Sequence, residues 1–154
     1  MTSARTPPSS DRAARVLLLA RARLLGRWLV VSAGVDALAL AWGLQMYLFP
    51  GPHAVVGNVL AGMFLAAAGL VWGVLHLALA GWVAWGRGHL RSGGTHRLLV
   101  AGAWASVLVA GGSTVVLLPL ALSPDIEVLL VAAPALLSCI AVLRTGLVVG
   151  GGPR

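Results

Sequence analysis

The sequence predicts an all-α integral membrane protein, a four-helix bundle whose transmembrane helices run up, down, up and down. Its mean hydropathy is +0.95, and only 10% of its residues are charged, whereas soluble domains carry about 25% charged residues. A chain of 154 residues with 59% apolar residues has more apolar surface than so small a soluble fold can bury. We therefore expect lipid to cover the excess.

Four apolar runs are each long enough to span a membrane, since about 20 helical residues cross roughly 30 Å of hydrocarbon. Proline-containing turns, PGP at 50–52 and SPD at 123–125, separate the runs within each pair because proline cannot continue helical hydrogen bonding. The second run exceeds what a bilayer requires, so it either tilts or protrudes, and its continuity as one helix is left open. The predicted spans are 28–49, 54–86, 98–122 and 126–149.

The remaining segments are short and basic. Residues 1–27 are predicted to be a basic cytoplasmic tail, of which the part from about residue 12 forms either an interfacial helix or an extension of the first span. A loop at 87–97 joins the second and third spans, and residues 150–154 form a second short cytoplasmic tail.

The positions of the charges predict the orientation. The net charge of +7 comes from eleven arginines, with no lysine, and four acidic residues. Nine of the arginines lie in the N-terminal segment and the 87–97 loop. The linker at 123–127 carries only Asp125 and Glu127. The positive-inside rule therefore places both termini in the cytoplasm. The chain has arginine but no lysine and is rich in Ala, Gly and Leu, a composition typical of proteins from GC-rich bacterial genomes. We therefore expect the protein to lie in the plasma membrane of a bacterium. Arginines placed between apolar runs also argue against a nucleic-acid partner.

Asp36 and His76 are the main candidates for an intramembrane polar or proton site. Asp36 lies eight residues into the first span, about 12 Å along a helix. His76 lies nine residues before Trp85, at a similar depth on a span that should be its antiparallel neighbour. A carboxylate at that depth costs several kcal/mol unless it is paired, hydrated or protonated. We therefore expect the two to pair, either to fix helix packing or to exchange protons.

Arg144 is a third candidate for that site. It lies 19 residues beyond Asp125, about 28 Å along a helix. We expect it to anchor the inner interface by snorkelling; a charge pair with Asp36 is the alternative.

Small residues recur at four-residue spacing and let helix backbones approach closely. Gly69 and Gly73 form a GxxxG pair on the second span, and Gly102 and Ser106 lie on one face of the third. We therefore predict these four residues to be helix-packing positions.

Catalytic, cofactor and metal sites are not predicted. The sequence has no GxSxG, HExxH or Walker pattern. Among its histidines only His76 lies deep in a span, which disfavours haem ligation by two histidines. Its one cysteine, Cys139, cannot form an internal disulfide. A Ser113–His76 dyad for intramembrane proteolysis is disfavoured because the two lie at different depths.

Two functions remain open at the level of the sequence. The first is a non-enzymatic accessory, scaffold or subunit protein that acts through its small-residue faces. The second is a small oligomeric transporter or channel that uses the Asp36–His76 pair for proton or cation coupling. Either way we expect the lipid bilayer as a partner, together with further copies of the chain or a larger membrane complex.

Overall fold

The regular structure is entirely helical in the part of the chain that the computed structural model describes, residues 9–49, 51, 56–121 and 126–151. Each of the four helices contains a stretch that is long and apolar enough to cross a membrane. The predicted all-α, four-helix membrane fold is thereby confirmed. The helices are α1 (Ser9–Leu48), α2 (Val56–Arg91), α3 (Arg97–Ala121) and α4 (Ile126–Gly150).

Helix α1 is continuous over 40 residues, which is about 60 Å at 1.5 Å per residue. The segment from residue 12 to residue 27 is therefore an extension of the first span and not a separate helix. Arginine is a good helix former. The basic segment can therefore be helical, and α1 begins well before the apolar run. Residues 1–8 of the predicted tail lie outside the described residues, as do 152–154 at the other end.

Helix α2 is likewise one continuous helix, of 36 residues. It ends at Arg91 instead of near residue 86, so the connection to α3 is only residues 92–96. Gly93 ends the helix with φ at +94°, a conformation that side chains with a β-carbon disfavour. The amide of the next residue, Gly94, donates to the carbonyl of His89 over 2.9 Å. The sequence placed this glycine pair within the loop, but not as a helix cap.

Helices α1 and α2 pack in almost direct backbone contact. A β-carbon added to Gly43 of α1 would clash with the backbone nitrogen of Ala66. One added to Gly62 of α2 would lie 2.9 Å from the Gly43 carbonyl oxygen. Helices α1 and α2 make the most extensive contact in the bundle, followed by α3 with α4, then α1 with α4 and α2 with α3. The chain thus forms two helical hairpins that pack side by side.

A buried core runs between the hairpins, whereas the outer faces are apolar and exposed. Leu25, Leu29, Leu99 and Val142 are fully buried. Large apolar side chains such as Leu108 point outwards with 75% of their surface exposed. That distribution fits a bundle whose outer solvent is lipid. The predicted outer turns at 50–52 and 123–125 lie outside the described residues, except for Gly51.

Candidate functional site

The candidate site is centred on a hydrogen bond between α1 and α2. The Nδ1 atom of His76 lies 2.6 Å from Oδ2 of Asp36. The His76 side chain is 2% exposed and that of Asp36 is 17% exposed. The two residues lie at the same depth on adjacent antiparallel helices, which is the relationship that the sequence predicted for them. Protonation of His76 would convert this hydrogen bond into an ion pair.

Small residues of α2 bring the pair together. A β-carbon on Gly69 would lie 2.6 Å from the carbonyl oxygen of Asp36, and one on Gly73 would lie 3.4 Å from the Asp36 β-carbon. Gly73 lies one turn before His76 on the same face of α2. Because Gly73 has no side chain, the side chain of Asp36 can lie over it and reach His76. The GxxxG pair therefore holds the backbone of α1 at the distance at which a carboxylate and an imidazole meet.

Small polar side chains of the other hairpin extend the pair into a wider group of buried polar residues, which we call the polar cluster. The thiol of Cys139 on α4 lies against the hydroxyl groups of Ser113 on α3 and Ser138 on α4, and close enough to Asp36 for that charge to act on it. All three are buried, with 3–4% of their surface exposed. The cluster thus receives polar groups from every helix of the bundle.

Two atoms near the pair are buried without a hydrogen-bond partner among the described residues, Nε2 of His76 and the hydroxyl of Ser32. Ser32 lies one turn from Asp36 along α1 and is 1% exposed. The other hydroxyls of the cluster are satisfied locally, since Ser113 donates to the Val109 carbonyl over 2.9 Å. Burial of an unsatisfied polar atom is unfavourable by about 1–3 kcal/mol, so the Ser32 and His76 atoms are where an additional polar species would be stabilised.

Arg144 does not belong to this cluster. Its side chain is exposed on α4, and the ion partner of Asp36 in the described part of the chain is His76. Snorkelling is compatible with this position, whereas a pair with Asp36 is not observed.

Gly102 and Ser106 of α3 lie away from the pair, at a packing contact. A β-carbon on Gly102 would lie 3.0 Å from Cδ1 of Trp82, whose indole nitrogen donates to the Leu98 carbonyl over 3.1 Å. Ser106 is fully buried and donates to the carbonyl of Gly102 over 2.7 Å. The α2–α3 contact at this end is therefore built by an aromatic ring laid over a glycine.

The register of α2 and α3 also places Ser113 relative to His76. A β-carbon on Gly112 would lie 3.9 Å from the ring of Trp72, which is four residues from His76. In antiparallel helices Ser113 is one residue further still, so it is about 7.5 Å removed in depth from His76. Its hydroxyl donates to a carbonyl of its own helix. The two residues do not form a nucleophile–base hydrogen bond.

A metal site is not apparent from the described residues, since no three His, Cys, Asp or Glu side chains converge there. Comparison of the chain with protein-family models, with curated proteins and with solved structures found no match. The inference of function therefore rests on the site itself.

The sequence did not predict the contribution of Cys139, Ser113 and Ser138. Each of the three is a small polar residue within an apolar run. Such residues are frequent in membrane helices because they allow close packing, so their presence alone does not indicate a site. Their convergence depends on how α3 and α4 are rotated about their axes. The nearly uniform apolar character of these two helices leaves that rotation unspecified.

Proposed function

We propose that the protein is a non-enzymatic membrane accessory, scaffold or subunit protein whose Asp36–His76 pair fixes α1 against α2. The observation that carries this proposal is the 2.6 Å hydrogen bond at a glycine-lined backbone contact. A lone carboxylate inside a membrane is unfavourable by several kcal/mol, so a bundle that retains Asp36 gains most by giving it a fixed partner. The close α1–α2 backbone approach leaves no wide pathway between these helices.

The proposed setting is the plasma membrane of a bacterium, with both termini on the cytoplasmic side. The support is the concentration of arginines at the end of the bundle that contains the first half of α1 and the α2–α3 connection. A C-terminal alkaline phosphatase or green fluorescent protein fusion tests the orientation. We expect fluorescence and no phosphatase activity; the reverse pattern would contradict the proposed topology.

The accessory role is tested by purifying the wild type and Asp36→Asn in mild detergent. We expect the variant to melt earlier and to lose whatever stoichiometric partner or self-association the wild type retains. Thr95→Asn, in the exposed α2–α3 connection, is the control for introducing an asparagine. An Asp36→Asn variant that keeps its assembly and melts at or above the wild-type temperature would count against a packing role.

A second candidate function is proton or cation transport by an oligomer of this chain. It is favoured by one observation: Nε2 of His76 and the hydroxyl of Ser32 are buried near the Asp36 carboxylate and have no hydrogen-bond partner among the described residues. Imidazole and carboxylate groups exchange protons in intramembrane relays. Ser32 would supply the next hydroxyl along α1.

Flux measurements separate the two functions. Wild type, Asp36→Asn and His76→Phe are reconstituted in liposomes that contain a pH-sensitive dye, and a potassium gradient with valinomycin drives proton uptake. Transport predicts dye acidification with the wild type and its loss in both variants. The accessory role predicts the slow leak of protein-free liposomes in all three samples.

A further inference from the structure

A cluster of arginines lies at the opposite end of the α1–α2 hairpin from its turn. A β-carbon on Gly26 of α1 would lie 3.8 Å from Val83 of α2. Because the helices are antiparallel, the next turn of each brings Arg23 and Arg87 alongside one another. Arg23 and Arg91 both lie close enough to Arg87 for their charges to act on its guanidinium. We call Arg23, Arg87 and Arg91 the arginine cluster.

No carboxylate whose side chain the structure describes forms an ion pair with the arginine cluster. The Nε atom of Arg87 is buried and donates to no acceptor in the described part of the chain. Asp36 lies 13 residues from Arg23 along α1, about 20 Å away, and is held by His76. Asp11 lies 12 residues before Arg23 on α1, about 18 Å along the helix. Three like charges and an unsatisfied buried N–H are each unfavourable, and one bound anion would offset both.

The surroundings indicate which anion fits. Trp82 and Trp85 precede the cluster on α2, and tryptophans of this kind occupy the headgroup level of a bilayer. The ring of Trp85 lies 6.4 Å from that of His89, at 31°. A guanidinium donates two parallel hydrogen bonds to phosphate oxygens, and at this level of the membrane the abundant phosphate belongs to lipid. We propose that the arginine cluster binds the phosphate group of an anionic phospholipid.

Binding to the cluster differs from general attraction between basic residues and an anionic membrane. General attraction contributes about 1 kcal/mol per arginine, which is about fivefold in affinity, wherever the arginine lies near the surface. Arg15 provides a matched comparison, because it lies on the same helix at the same end and its side chain is exposed. Specific binding requires Arg87 to contribute much more than Arg15.

The test uses the full chain in detergent and native mass spectrometry with short-chain phosphatidylglycerol as the probe. We expect stoichiometric lipid adducts with the wild type, at least a tenfold loss of apparent affinity for Arg87→Gln, and no more than about a fivefold loss for Arg15→Gln. Arg87→Lys keeps the charge without the planar donors and should fall between wild type and Arg87→Gln. Melting temperatures without lipid identify any variant that is misfolded, and Arg23→Gln then replaces it.

Three results would overturn the proposal. Equal losses for Arg15→Gln and Arg87→Gln would mean general electrostatic attraction. Equal binding of phosphatidylcholine would mean that the lipid's net charge is not recognised. Competition by inorganic phosphate as effective as that by the lipid would assign the cluster to a soluble anion.

Discussion

Gly69 of α2 lies so close to Leu40 of α1 that a β-carbon added to the glycine would stand 2.6 Å from the backbone nitrogen of Leu40. The atoms that would be struck belong to the backbone, so they cannot move aside as a flexible side chain can. Only displacement of a whole helix would relieve such a contact. The packing of α1 against α2 at this point therefore requires glycine at position 69.

The first prediction concerns this contact. Gly69→Ala should destabilise the bundle by about 1–3 kcal/mol because α1 and α2 must separate. Gly81 is the matched control on the same helix, since nothing lies within 4 Å of its added β-carbon. Gly81→Ala should be neutral or stabilising by up to about 1 kcal/mol through helix propensity. Reversible unfolding in mixed detergent–SDS micelles measures both, and equal stabilities would contradict the close contact.

The second prediction concerns the Asp36–His76 hydrogen bond. His76→Phe keeps a ring but leaves the carboxylate without its partner, so it should destabilise the protein by about 2 kcal/mol or more. Asp36→Leu combined with His76→Phe removes both polar groups and should lie within about 1 kcal/mol of wild type. Unfolding in the same micelles compares the single and double variants. A double variant less stable than His76→Phe would contradict this prediction.

The third prediction concerns the end of α2. At φ of +94°, replacement of Gly93 by alanine should be unfavourable by about 1–2 kcal/mol. Gly88 lies in the last turns of the same helix with open space around it, so Gly88→Ala serves as the control and should not destabilise. Melting temperatures of the two variants test the cap, and a Gly93→Ala variant as stable as Gly88→Ala would contradict it.

The fourth prediction concerns Cys139, which is 3% exposed and is the only cysteine of the chain. A membrane-permeable maleimide should modify it slowly in the folded protein and rapidly in SDS, because the reagent must reach a thiol packed between α3 and α4. Thr95→Cys in a Cys139→Ser background is the exposed control and should react rapidly in both conditions. Mass spectrometry follows the modification over time; rapid labelling of folded wild type would mean that α4 is rotated differently.

Much of this architecture follows from the sequence alone. The spans could be predicted because membrane insertion depends on the mean hydropathy of about 20 consecutive residues. The Asp36–His76 pair could be predicted because a short turn makes α1 and α2 antiparallel neighbours. Helix ends were less accessible, since α1 reaches back to Ser9 and α2 on to Arg91. Membrane insertion depends on apolar length, whereas a helix continues into water wherever its residues permit.

The proximity of Cys139 to Ser113 could not be predicted from the sequence, for a different reason. It requires the rotation of α3 and α4 about their own axes, and these helices are apolar on nearly every face. In a soluble bundle the polar face fixes such a rotation. In lipid both faces are apolar, so small differences in packing decide it. The charge of Arg144 must reach the membrane interface, so the sequence predicts how deep this residue lies. It does not predict which helices lie next to it.

The division of the bundle into two hairpins also bears on how it assembles. The most extensive contacts lie between consecutive helices, and the residues 92–96 that join the hairpins make a short connection outside the bundle core. Each hairpin can therefore insert as a unit and dock with the other afterwards, as a two-step assembly in the bilayer requires. Two genes that encode residues 1–93 and 94–154 should accordingly yield fragments that reassociate in one membrane, so the peptide bond between the hairpins is dispensable for the fold.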